Sequence, residues 1–101
     1  MAVATNAGFV ELAKRATGAA SDAWTYMALG TGTGQNASDT ELASENTDSN
    51  GLQRASAAVS TVTTTESGDT AQWVKTFTST ATMTITEAGI FNNASAGSGD
   101  M

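Results

Sequence analysis

The sequence contains neither cysteine nor histidine among its 101 residues. Without cysteine, a disulfide framework, a thiolate zinc site and a cysteine nucleophile are all excluded. Without histidine, the chain lacks the side chain that most often serves as a general base or as a metal ligand. These two absences remove most of the common catalytic and metal-binding arrangements.

Basic residues are also scarce, since four lysines and arginines stand against ten acidic residues and the net charge is −6. The four are scattered along the chain, at Lys14, Arg15, Arg54 and Lys75. Because phosphate binding needs clustered positive charge, nucleic acid is not an expected partner. The acidic balance also argues against anionic membranes, and no apolar run approaches the roughly 20 residues that span a bilayer.

The N-terminus lacks the basic region and the long apolar region of a signal peptide. We therefore expect a chain that is made and used without Sec export, or one that is already mature. The length predicts a single domain, 1–101, that begins with a small polar arm at residues 1–6. A domain of this size has a modest core, and assembly with other subunits would stabilise it.

The most regular pattern in the chain covers residues 81–86. Apolar residues at 81, 83 and 85 alternate with threonines, which predicts a half-buried β-strand. Gly89 indicates a bend, a bulge or a close backbone approach, and the favoured interpretation is a strand that kinks there and places Phe91 in a second layer. The predicted core consists of Leu29, Leu42, Met83, Ile85 and Phe91.

A short amphipathic helix is predicted near the N-terminus, with Asn6 as its cap and Gly18 as its end. Its apolar stripe consists of Phe9, Leu12, Ala13 and Ala16, which have helical spacing. The favoured interpretation is a helix that covers one face of a sheet. The alternative is a helix that binds a partner.

Further strands are predicted at 24–29, 52–66 and 72–79, the last two forming a hairpin that continues into 81–86 as a meander. The glycine-rich stretch from Gly30 to Gly34 predicts a tight loop, because no lysine follows it as a phosphate-binding loop requires. Ser38 and Glu41 have capping-box spacing and predict a helical turn near 38–45. Together these patterns indicate a mainly β fold, a small antiparallel sandwich or jelly-roll-like sheet with a short N-terminal helix.

Glu87 is the charged residue that the pattern places closest to the predicted core. A buried carboxylate needs a partner, and Arg54 lies at the start of the long neighbouring strand. We therefore hypothesise a structural ion pair of Arg54 with Glu87. The alternative is that Glu87 points to water at a strand end.

One acidic cluster is the best candidate for a calcium site, since calcium needs oxygen ligands from a compact loop. It consists of Asp39, Glu41, Glu45 and Asp48. The spacing does not match an EF-hand loop and no glycine lies at the centre. We expect a solvated loop, with no metal and no cofactor.

Four segments, at 24–33, 38–45, 51–55 and 85–92, resemble a family of small structural proteins of tailed bacteriophages. The resemblance extends over about residues 20–101. It implies a virion structural subunit without enzymatic activity or catalytic residues, assembled in the host cytoplasm as capsid decoration or as part of a tail or fibre. It also implies a homo-oligomer that contacts other virion proteins.

Similar proteins usually continue past the position of Met101, through one or two further strands. The expectation is a shortened member, or a strand that a neighbouring subunit supplies. Open sheet edges and the helix residues Phe9 and Leu12 are the predicted subunit contacts. Two alternatives remain open: an extracellular filament or adhesin subunit that assembles by strand exchange, and a carbohydrate-binding module at a fibre tip. The second would use exposed rings among Trp24, Tyr26 and Trp73.

Overall fold

The computed structural model describes residues 3–101 and places one helix and five strands within them. The elements are α1 (Asn6–Thr17), β1 (Tyr26–Gly30), β2 (Ala55–Ser56), β3 (Ala58–Val62), β4 (Thr70–Val74) and β5 (Glu87–Phe91). Every pairing among these strands is antiparallel. The prediction of a mainly β fold with a short N-terminal helix fits this arrangement. Of the predicted arm at 1–6, residues 1 and 2 lie outside the described residues, and Asn6 belongs to α1.

The larger sheet has three strands in the order β2-β1-β5, with β1 in the centre. Tyr26 pairs with Phe91 and Ala28 with Gly89 along the two longer strands. A Cβ atom at Gly89 would lie 2.8 Å from the Phe91 ring and 2.9 Å from the sulfur of Met101. Close packing therefore requires glycine here, whereas the predicted bend is wrong because the register continues through Gly89.

The core of this sheet is small and consists of Ala28, Leu42 and Phe91, with Tyr26 and Met101 packed against it. Two predicted core residues, Leu42 and Phe91, are confirmed as buried. Leu29 and Met83 are only half-buried. Ile85 is 37% exposed, and its assignment to the core is wrong.

The predicted strand at 81–86 is absent, because neither β4, its predicted neighbour in the meander, nor β1 extends beside it. β1 finishes at Gly30, and the last main-chain bond along this edge runs from the Thr86 amide to the Gly30 carbonyl. The glycine loop then turns away towards Glu87. Residues 82–85 therefore have no adjacent strand in the described part of the chain, despite their strong alternation.

The predicted hairpin is confirmed, although its strands are shorter than predicted. β3 and β4 form a separate two-stranded sheet in which Ala58 pairs with Val74 and Val62 with Thr70. Its turn contains Gly68 at φ +73° and the Asp69 carboxylate, which accepts three main-chain hydrogen bonds. The predicted meander is wrong, because the next strand, β5, pairs with β1 and not with β4.

Helix α1 is capped by Thr5, not by Asn6, since the Thr5 hydroxyl accepts the amide of Gly8. Gly18 ends the helix in the left-handed conformation, as predicted. The helix does not cover the sheet with its apolar stripe: Phe9 is 58% and Leu12 53% exposed. The Thr5 hydroxyl instead donates to the Met101 carbonyl, which holds this end of α1 against the C-terminal segment.

The helical turn predicted near 38–45 is wrong, and local side-chain bonds explain why. The Asn36 carboxamide oxygen accepts the amide of Ser38, and the Asp39 carboxylate accepts the amide of Asn36. Such bonds offer the main chain an alternative to a helix. The segment forms turns and then a single antiparallel bridge between Gly30 and Glu45.

Candidate functional site

An open groove of about 670 Å³ lies between α1 and the β5 strand. Phe9 and Leu12 line it from the helix, and Trp24, Trp73 and Ile90 line it from the rest of the chain. Both predicted subunit-contact residues thus lie on one concave and largely apolar surface. Concave apolar surfaces with a few polar groups are the usual form of binding sites in proteins.

Glu87 lines one part of this groove and is almost fully buried, with 6% of the residue exposed. Its Oε1 atom accepts the amides of Gly32 at 3.0 Å and Ser44 at 2.7 Å. Its Oε2 atom accepts the Ala43 amide at 3.0 Å and the Gln35 side-chain amide at 3.1 Å. Four donors therefore replace the water that this carboxylate would hold when exposed.

The glycine loop after β1 is shaped to this carboxylate. A Cβ atom would lie 2.4 Å from the Glu87 Oε1 atom if built at Gly30, and 2.7 Å from it if built at Gly32. Both distances are far shorter than a van der Waals contact, so neither position accepts a side chain without rearrangement. Together with Gln35 and the amides of Ala43 and Ser44, the loop forms an anion cradle, and the anion that it holds belongs to the chain itself.

Two opposing effects act on the pKa of Glu87. Burial favours the neutral acid and raises the pKa, whereas hydrogen bonds from Ser44, Gln35, Gly32 and Ala43 favour the anion. The hydrogen bonds prevail, and the pKa of Glu87 lies below its ordinary value. This carboxylate is therefore ionised near neutral pH and fully engaged by donors, which suits a structural role and not proton transfer.

The predicted ion pair of Arg54 with Glu87 is wrong, because Arg54 pairs with Glu45. The guanidinium donates from Nε to Glu45 Oε1 at 2.8 Å and from Nη2 to Oε2 at 2.7 Å. Both side chains are buried, at 2% and 7% exposure. Glu87 lies opposite Gly30 at one end of the sheet, whereas Arg54 directly precedes β2 on the other side of β1.

Further contacts complete the surroundings of Arg54. Its Nη1 atom donates to the carbonyls of Asn93 at 3.0 Å and Ser98 at 2.8 Å, and its guanidinium lies 3.7 Å from the centre of the Phe91 ring. One side chain thus joins the loop around Glu45, the start of β2 and the C-terminal turn. Sequence reasoning placed Glu45 in a solvated loop and missed this role, although the scarcity of basic residues among many acids was the available signal.

The three aromatic residues of the carbohydrate alternative are all half-buried. Trp73 donates its indole N–H to the Trp24 carbonyl at 2.7 Å, which ties the hairpin to the segment before β1. The buried Nε1 atom of Trp24 has no hydrogen-bond partner within residues 3–101. Both indole rings border the groove.

Residues 3–101 hold no group of three or more acidic side chains arranged to bind a metal ion. Within the same range, no helix has both the length and the apolar character needed to cross a bilayer.

Comparison with protein-family models, curated proteins and solved structures finds no match for this chain.

Proposed function

We propose that this protein is a self-assembling structural subunit of a bacteriophage virion, in the capsid decoration or in a tail or fibre, without enzymatic activity. The observation that carries the proposal is the groove beside α1. Phe9, Val10 and Leu12 are each more than half exposed along one short helix. Adjacent large apolar side chains in contact with water are typical of a surface that a partner covers.

The positions that carry the resemblance to phage structural proteins support the same proposal. Gly32 belongs to the anion cradle that holds Glu87, and Glu45 and Arg54 form the buried ion pair. All four therefore stabilise the fold, and none presents a reactive group to solvent. Motif residues that stabilise the fold are expected in a structural subunit, because the function of such a subunit depends on its shape.

The predicted sandwich or jelly-roll architecture becomes part of this proposal. The three-stranded sheet and the β3–β4 hairpin are two separate sheets, each with open edges. A strand from a neighbouring subunit, laid along the groove, would cover Ile90 and the exposed side of α1 and complete a second layer. Such strand addition gives affinity through main-chain hydrogen bonds and specificity through side-chain pockets.

Sedimentation of the purified chain, from micromolar to millimolar concentration, tests assembly directly. We expect association that increases with concentration, and we expect mass spectrometry to find the chain in purified particles from cells that carry its gene. A chain that stays monomeric throughout and is absent from such particles would refute the proposal.

A carbohydrate-binding module is the second candidate, and one observation favours it. Trp24 and Trp73, both half-buried, line the same groove. Aromatic side chains in a groove suit stacking against the apolar face of a sugar ring. Binding on a glycan array that is lost in Trp73→Ala would support this function, and the absence of binding to any glycan would remove it.

A further inference from the structure

The segment at 82–85 has the composition of a strand but none of its hydrogen bonds. The Thr80 amide donates to the Asn50 carbonyl and the Thr86 amide to the Gly30 carbonyl. Between them, within the described residues, the main-chain groups of 82–85 form no hydrogen bonds with the rest of the chain. A row of free N–H and C=O groups is a template for pairing with another chain.

This segment also lacks the features by which proteins protect such edges. Residues 76–86 contain no charged side chain and no proline. Met83 is half-buried and Ile85 is 37% exposed, so one side of the segment is apolar and partly open to water. Charges, proline and bulges are the usual protection of a free edge, and the first two are missing here.

The residue pattern favours a second copy of the same chain as the partner, because 82–86 alternates threonine and apolar residues symmetrically about Thr84 and so matches itself in an antiparallel pair. Two chains of net charge −6 repel each other over most of their surfaces. The uncharged stretch at 76–86 is a place where two copies meet without bringing like charges into register. The threonine side chains on its other side keep it compatible with water when it is unpaired.

We propose that two copies of this protein pair antiparallel through residues 82–86, about a two-fold axis at Thr84. In this register Met83 lies opposite Ile85 of the other copy, and Thr82 lies opposite Thr86. A shift by one residue would place apolar side chains against threonines on the same face. An axis at Ile85 would bring Glu87 opposite Met83, although Glu87 is already held by its own cradle.

A strand pair of this length is too small to hold a stable dimer alone, since standard interfaces bury about 800 Å² on each partner. The paired segment leads directly into the groove, because Thr86 and Glu87 line it together with Phe9 and Leu12. The interface therefore extends from the strand pair onto the groove. This inference deepens the self-assembly part of the proposed function by naming the surface and the partner.

A single cysteine tests the register, because the chain has none of its own. In the proposed pair, two Thr84→Cys residues face each other at about 4.5–5.5 Å between Cα atoms, within the range of a disulfide. Thr76→Cys is the matched control, since Thr76 is also exposed and lies outside the paired segment. We expect at least about tenfold more covalent dimer from Thr84→Cys on non-reducing gels, and equal yields would overturn the register.

Opposite charges at the same position provide a second test. Thr84→Asp and Thr84→Lys each place like charges face to face, so each alone should dimerise about threefold to fivefold more weakly than the unmodified chain. An equimolar mixture should regain the lost association as a mixed dimer in native mass spectrometry. A mixture that associates no better than its components would contradict the two-fold axis at Thr84.

The two proposals fail in different ways. A chain that cross-links through Thr84→Cys but is absent from virions would refute the virion role and leave the pairing intact. A chain that is found in virions but does not cross-link there would refute the pairing and leave the virion role intact.

Discussion

The three-stranded sheet and the threonine-rich half of the chain satisfy their polar groups in opposite ways. Around the sheet, Glu45, Arg54 and Glu87 are buried, and each has its hydrogen bonds supplied by the protein. In the β3–β4 hairpin and the segment after it, most side chains are exposed, so their polar groups face solvent. The difference shows that strand propensity and burial are separate matters in this protein: the residues with the strongest strand pattern lie outside the core.

The largest expected effect comes from removing the positive member of the buried ion pair. Arg54→Met leaves the Glu45 carboxylate buried without its cation, and breaking such a pair costs about 3–5 kcal/mol of unfolding free energy. Urea denaturation followed by tryptophan fluorescence measures the loss. The double variant Arg54→Met with Glu45→Met is the control and should lose less. A loss below about 1 kcal/mol for the single variant would contradict this account.

The anion cradle is expected to rank second. Glu87→Ala leaves the amides of Gly32, Ala43 and Ser44 without an acceptor, at a cost of about 2–4 kcal/mol. Because the cradle borders an open groove, added acetate should enter it and raise the melting temperature relative to chloride at equal ionic strength. Glu41→Ala, which removes an exposed glutamate, is the matched control and should show neither effect. A variant that acetate leaves unchanged would argue against a cradle that binds carboxylate.

The pH dependence of stability gives a smaller effect that isolates the same group. The pKa of Glu87 is below its ordinary value of 4.5 in the folded chain, so the unfolded chain binds more protons between the two values. Its contribution to stability is therefore complete above about pH 4.5 and is lost as the pH falls through the folded pKa.

The pKa of Asp69 is lowered in the same direction, by amides of Glu66, Thr64 and Thr65 at the hairpin turn. Curves of unfolding free energy against pH, measured between pH 2 and 6, should be flatter for Glu87→Gln than for the unmodified chain. Asp69→Asn should also flatten the curve, independently of the change at Glu87. Identical slopes in the unmodified chain and Glu87→Gln would contradict the lowered pKa.

The smallest effect on stability is expected at the groove, where the effect on association should be largest. Leu12→Asp alters a side chain that is 53% exposed, so the unfolding free energy should change by no more than about 0.5 kcal/mol. Self-association, measured by sedimentation, should decrease because a charge enters the apolar surface. Val59→Asp on the hairpin, where Val59 is 46% exposed, is the matched control. Equal effects of the two substitutions on self-association would contradict a role of the groove in assembly.

Local signals predicted the elements that depend on near neighbours in sequence. Gly18 ends α1 and Gly68 lies in the hairpin turn, because each adopts a positive φ that glycine allows at little cost. The burial of Phe91 was also predicted, because Phe91 follows the alternating strand pattern at 81–86. The capping box at Ser38 failed for an equally local reason, since Asn36 and Asp39 form competing bonds within the same few residues.

The sequence by itself determined a short helix, an antiparallel hairpin, a chain without thiol or imidazole chemistry, and a buried role for Phe91. Only the tertiary structure decided the partner of each buried charged side chain: Glu87 accepts main-chain amides, and Arg54 pairs with Glu45. The physical reason is that a carboxylate accepts any nearby donor, so its partner depends on where distant segments meet and not on its own neighbours. Strand pairing depends on distant segments in the same way. The pattern at 82–85 specified which side chains share a face, but β1 ends too early to pair with this segment.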